Sequence, residues 1–117
     1  MHVKHLKLDT QSLFINYQIV YHKIVFCNFQ VNHYKFSVSW PRIMPDGTIT
    51  STNKAGITYY KQLIDAVLDA GIEPVVTLYN WDLPQKIQDY GGWLNTTTIT
   101  LFNDFANLCF RQFGNRV

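Results

Sequence analysis

Residues 34–43 read YKFSVSWPRI, and residues 77–92 read TLYNWDLPQKIQDYGG. In the first stretch Tyr34, Phe36, Val38 and Trp40 alternate with Lys35, Ser37 and Ser39, the two-residue period of a strand with one apolar face. Pro41 and the triplet Pro45-Asp46-Gly47 close it with a turn. The second stretch follows Pro74, which opens a strand without needing a ladder donor. It continues the run VVTLY at residues 75–79, the pattern of a parallel strand buried on both faces.

Between them, Asn53 is placed to cap a helix whose apolar positions Ile57, Tyr60, Ile64, Val67 and Leu68 recur at helical spacing. Gly71 stands where a left-handed residue ends such a helix. Beyond the second strand, Pro84 and Gly91-Gly92 mark a long loop. A last helix is expected from about Thr97, with Ile99, Phe102, Phe105, Cys109 and Phe113 on its apolar face and Gly114 at its end. Strand, helix, strand, helix in this order implies parallel pairing with a right-handed crossover, hence two consecutive βα units. A doubly wound sheet shares that order. No GxGxxG or GxxxxGK[ST] follows either strand, which weakens a nucleotide-binding version of it.

The chain has 117 residues, less than half of the roughly 250 that a complete (β/α)8 barrel uses. Its formal charge is +2 and its basic residues form no run, so nothing favours nucleic acid or a membrane surface as partner. A hydrophobic content of 47% argues for a globular chain. Cys27 and Cys109 lack metal-ligand spacing and read as buried thiols, and the histidines offer no metal-spaced pair. Neither metal nor cofactor is expected.

Residues 1–32 differ from the remainder. Up to residue 31 they contain Asp9 as their one acid and no Gly or Pro, and residues 13–29 are rich in Ile, Val, Tyr and Phe, a β-prone composition. Polar interruptions at Asn16, Gln18, His22 and Lys23 exclude both a signal h-region and a membrane span there. Asn95-Thr96-Thr97 is a glycosylation sequon that matters only on a secretory route, and the compartment stays open.

In a βα architecture of barrel type, functional residues project from the carboxyl ends of strands. Asn80, Trp81 and Asp82 fall there. The chain's one glutamate, Glu73, falls at the opposite end, roughly 23 Å away at about 3.3 Å per residue. It is therefore expected to be a solvated residue at the helix-to-strand turn.

These two stretches resemble the second and third barrel strands of family 1 glycoside hydrolases, the retaining β-glucosidases with their lactase-like and klotho-like members. The resemblance runs from residue 33 to residue 117 and implies a partial (β/α)8 TIM barrel. The family pattern at the second stretch is His-Trp-Asp-Leu-Pro, its histidine hydrogen-bonding a sugar hydroxyl. Here Asn80 precedes the matching Trp81, Asp82, Leu83 and Pro84. An asparagine amide still donates and accepts but reaches about 1 Å less far. At the first stretch the family's Tyr-Arg-Phe-Ser-Ile-Ser-Trp has an arginine supporting the nucleophilic glutamate, and Lys35 keeps its charge without its planar fork.

The resemblance implies Asn80 and Trp81 as substrate-binding residues, with Lys35, Arg42 and Asp82 supporting the site. Trp81 has two readings, stacking on sugar or packing behind the site, whereas Trp40 and Trp93 read as structural. The family's acid/base and nucleophile motifs, Asn-Glu-Pro and Glu-Asn-Gly, do not occur in the chain, so no catalytic residue is assigned and the chain alone is expected to be inactive. The expected function is hydrolysis of β-glycosides or oligosaccharides by the whole protein. The alternatives are a klotho-like noncatalytic binder of glycan or protein, or a truncated product without function.

Overall fold

The computed structural model describes residues 31–117. The β-prone stretch at residues 13–29 and Cys27 lie outside them. Two strands, β1 (His33–Ser37) and β2 (Glu73–Thr77), pair in parallel with His33 opposite Glu73 and Ser37 opposite Thr77. Amide bonds beyond the ends continue the ladder, from Glu73 N–H to the Asn32 carbonyl and from Val38 N–H to the Thr77 carbonyl, each 2.9 Å. The crossover between them is helical, as expected for parallel neighbours.

β1 stops earlier than its alternation suggests. Trp40 begins a short helix, α1 (Trp40–Ile43), with Pro41 in its first turn, where a missing N–H costs nothing. The chain then turns back through Met44–Gly47, where Gly47 N–H donates to the Met44 carbonyl at 2.8 Å with φ at +84°. A side chain there would suffer both the left-handed backbone and a collision with Ile87. Asp46 braces the turn by accepting from Thr48 N–H at 2.9 Å and from the Thr48 hydroxyl at 2.6 Å.

After a 3-10 turn (Ile49–Ser51), helix α2 (Lys54–Asp69) starts where Asn53 predicts, its side chain accepting from Ala55 N–H at 3.1 Å. The end also follows the expectation. Gly71 adopts φ +72°, its N–H bonds the Leu68 carbonyl, and Ile72 N–H returns to the Val67 carbonyl, a Schellman closure. Leu68 is exposed, and Leu63 with Ala66 is buried on the inner face instead.

A five-residue helix α3 (Gln85–Asp89) and a 3-10 turn (Gly92–Leu94) occupy what reads in the sequence as loop. Helix α4 (Thr97–Phe113) ends at Gly114 as predicted. Ile99, expected on its apolar face, is 66% exposed. At about 100° per residue it lies some 120° round from the buried Phe105, whereas Thr98 lies about 20° away. Thr98 is accordingly the buried one, its hydroxyl donating to the Gly92 carbonyl at 2.6 Å.

The core lies between the sheet and α2 with α4: Val38, Trp40, Ile43, Ile64, Val67, Phe105 and Phe113 are all but inaccessible, and Tyr34, Phe36 and Val76 from the strands, with Leu78 just after β2, pack on them. Paired residues of a parallel ladder share a face. Lys35 and Val75 therefore share the face turned from the helices, and both are exposed. The expectation that β2 is buried on both faces is thus corrected: among the described residues helices cover one face only, and only β1 flanks β2.

Candidate functional site

Asn80, Trp81 and Asp82 follow the carboxyl end of β2 after Leu78 and Tyr79. Asn80 is exposed, and its backbone N–H donates to the Asp82 carboxylate at 3.3 Å, a bond from side chain back to main chain that spans Trp81. Between them Trp81 has φ +66°, the one left-handed non-glycine among the described residues. A bulky residue in that region costs on the order of 1 kcal/mol or more. The indole is 90% exposed among the described residues.

Tyr79 and Trp93, neither singled out as a site residue from the sequence, carry this loop. Trp93 Nε1 donates to the Tyr79 hydroxyl at 3.0 Å, and their rings meet edge-on at 5.1 Å. Tyr79 in turn faces Trp81 at 6.4 Å, and Trp93 leans on Phe102 at 5.7 Å and on Trp40 at 6.4 Å. The aromatic chain runs from the core outward to the exposed indole. Only the aromatic density of residues 79–93 hints at it in sequence.

Arg42 lies in α1, exposed, with its guanidinium 4.9 Å from the Tyr59 ring centre and 5.9 Å from that of Tyr60. Tyr60 receives the backbone N–H of Ser39, just after β1, at 2.8 Å. Burial raises the Tyr60 pKa; the Ser39 bond and the Arg42 charge oppose that, and Asp82 adds to it. The phenol therefore stays neutral, with Arg42 and Asp82 as charges of opposite sign in its field. Lys35 sits in the middle of β1 and exposed, so its ammonium is solvated. Among the described residues it shares no hydrogen bond, ion pair or ring contact with Asn80, Trp81, Asp82 or Arg42. The structure thus brings Asn80, Trp81 and Asp82 into one turn, sets Arg42 over the Tyr59 and Tyr60 rings, and leaves Lys35 apart.

Glu73 opens β2 at the far end. Its carboxylate pairs with His33 Nε2 at 3.1 Å with side chains 61% and 72% exposed, an arrangement worth at most about 1 kcal/mol. Two cavities, of 370 and 290 Å³, are lined by none of the five residues. The larger lies between the Asp46 turn, α3 and the start of α4; the smaller lies between β2 and the last turns of α4. Hydrogen bonds from Ser51 and Thr48, with Lys86 nearby, hold the Asp46 carboxyl far below its usual range. Among the described residues no His, Cys, Asp and Glu side chains gather as a metal site, and no helix is long and apolar enough to cross a membrane.

The family model for glycosyl hydrolase family 1 matches residues 16–117, a span that begins inside the N-terminal segment 1–32. The chain is 53% identical over 88 residues to beta-klotho of Mus musculus, covering 74% of this chain and 8% of that protein. It is 50% identical over 102 residues to lactase/phlorizin hydrolase of Rattus norvegicus, covering 83% of this chain and 5% of that protein. A rice β-glucosidase superposes with a TM-score of 0.82 at 44% identity, over 86% of this chain and 21% of the enzyme. The chain therefore spans less than a tenth of those two relatives and about a fifth of the solved enzyme.

Proposed function

The chain belongs to glycosyl hydrolase family 1, and from that premise we propose that it forms part of a β-glycosidase that cleaves O-glycosyl bonds by the retaining, two-carboxylate route. Its two parallel βα units match part of the family's TIM-barrel structures. The observation that carries the proposal is the exposed turn Asn80-Trp81-Asp82 at the carboxyl end of β2, held open by a left-handed tryptophan. In this reading the Asn80 amide hydrogen-bonds a sugar hydroxyl, and the Trp81 indole presents its face to the apolar C–H side of the ring. Asp82 fixes the turn, Arg42 steadies the neighbouring Tyr59–Tyr60 surface, and Lys35 supplies positive charge on the uncovered face of the sheet. The substrate is a β-glycoside or oligosaccharide.

The chain by itself is proposed to be inactive. A retaining site needs a nucleophile and an acid/base about 5 Å apart. Glu73, the one glutamate, is paired with His33 at the wrong end of β2. The test is hydrolysis of an aryl β-glucoside by purified chain and by its Glu73→Gln variant. No turnover above a heat-treated control is expected from either. Turnover that vanishes in Glu73→Gln refutes the inactivity of the chain, while an inactive full-length protein refutes the glycosidase reading.

Asn80 itself favours a second reading, a noncatalytic family member that binds glycan or protein. A non-hydrolysable thioglycoside separates the two when offered to the full-length protein: binding without turnover of the oxygen glycoside supports the second.

A further inference from the structure

We propose that Asn95 is an acceptor for an N-linked oligosaccharide when the chain is delivered to the secretory lumen, with the first sugar lodged at the 370 Å³ cavity that Asn95 lines. Asn95-Thr96-Thr97 is the chain's one N-x-S/T tripeptide, and neither the barrel nor the Asn80 turn uses it. It lies between the 3-10 turn and α4, with Thr96 and Thr97 exposed.

The side-chain geometry tolerates the modification. Asn95 Oδ1 accepts from Thr97 N–H at 2.9 Å, and Nδ2 donates to the Tyr90 carbonyl at 2.8 Å. An amide nitrogen has two hydrogens. Transfer replaces one and leaves the other free to keep the bond to Tyr90, while Oδ1 still accepts from Thr97 N–H. In that transfer Nδ2 forms a bond to the anomeric carbon of a lipid-pyrophosphate-linked oligosaccharide. The bond from that carbon to the pyrophosphate oxygen breaks, the lipid pyrophosphate leaves with the electron pair, and the amide gives up one proton.

The surroundings suit a sugar. Tyr90 is 70% exposed and lines the cavity with Ile87 and Leu101, offering an aromatic face and an apolar floor. Thr48 and the Asp46–Lys86 pair, 3.5 Å apart, supply polar groups on its rim. Leu94, 97% exposed beside Asn95, would be screened by the same glycan.

The test is expression of the full chain behind a cleavable secretory leader in eukaryotic cells, with peptide mass mapping before and after peptide N-glycosidase. One enzyme-sensitive mass increment is expected on the peptide containing Asn95. It is expected to vanish in Asn95→Gln and in Thr97→Ala, which keeps every Asn95 bond because Thr97 contributes its backbone N–H, and to persist in Thr97→Ser. An unmodified Asn95 in lumenally delivered chain, or an increment that survives Thr97→Ala, overturns the proposal. For the cavity contact, the glycosylated chain should protect Tyr90 from iodination relative to enzymatically deglycosylated chain. Equal labelling overturns that part.

Discussion

Trp40 and Phe105 stack with ring centres 5.1 Å apart and planes 9° from parallel, both wholly buried, tying the segment after β1 to the middle of α4 across 65 positions of sequence. Trp40 Nε1 meanwhile has no hydrogen-bond partner among the described residues. A buried unpaired donor costs about 1–3 kcal/mol, so the indole is held for its area and shape.

Replacing Trp40 separates those two effects. Trp40→Ala should destabilise by about 3–5 kcal/mol, the range for emptying an aromatic core site. Trp40→Phe keeps a ring on Phe105 and removes the unpaired donor, so its cost should be less than half as large. Urea unfolding of the full-length protein measures both. Equal costs would show that the indole's extra volume, and not the stack, holds the two elements together.

Trp81 has the opposite character: exposed, with φ at +66°. Trp81→Gly relieves the backbone, by about 1 kcal/mol, at the expense of a solvent-facing ring contact with Tyr79. The melting temperature should hold or rise slightly while affinity for a β-glycoside falls at least tenfold in the full-length protein. A large loss of stability would instead make Trp81 a structural residue.

For Asn80, the expected outcome of Asn80→His in an active full-length protein is a rise in kcat/KM of roughly one to two decades. That corresponds to recovering one buried hydrogen bond that strengthens in the transition state. An unchanged or lower rate would mean that other contacts have accommodated the shorter amide.

Cys109 gives a pH test. Burial pushes its thiol up to about 12 from 9.0. The unfolded chain thus loses this proton first as pH rises. The contribution to stability is complete below about pH 9 and declines between 9 and 12. Cys109→Ser should flatten that alkaline decline in denaturant titrations. Iodoacetamide should also label Cys109 at pH 8 only at the rate of unfolding, because the reactive species is the thiolate. Rapid labelling of folded protein would contradict the burial.

Much of the architecture was legible locally. Asn53 and Gly71 mark the ends of α2, because a side-chain acceptor at one end and a left-handed backbone at the other are properties of single residues. Strand-helix-strand order implied parallel pairing, and the ladder has it. The turn Asn80-Trp81-Asp82 was placed at its strand end by counting residues.

What tertiary structure decided was which side of each element is covered. Periodicity states that a helix has an apolar stripe but not which neighbour rests on it. Ile99 and Leu68 therefore face solvent, while Thr98, whose hydroxyl finds the Gly92 carbonyl, is buried. Val75 belongs to an apolar run yet stands exposed, since β2 meets helices on one face only. The Trp40–Trp93–Tyr79–Trp81 chain was illegible for the same reason: its contacts join residues that no local period relates. Backbone preferences act within a few residues and can be read from the chain, whereas burial depends on surfaces that meet only after it folds.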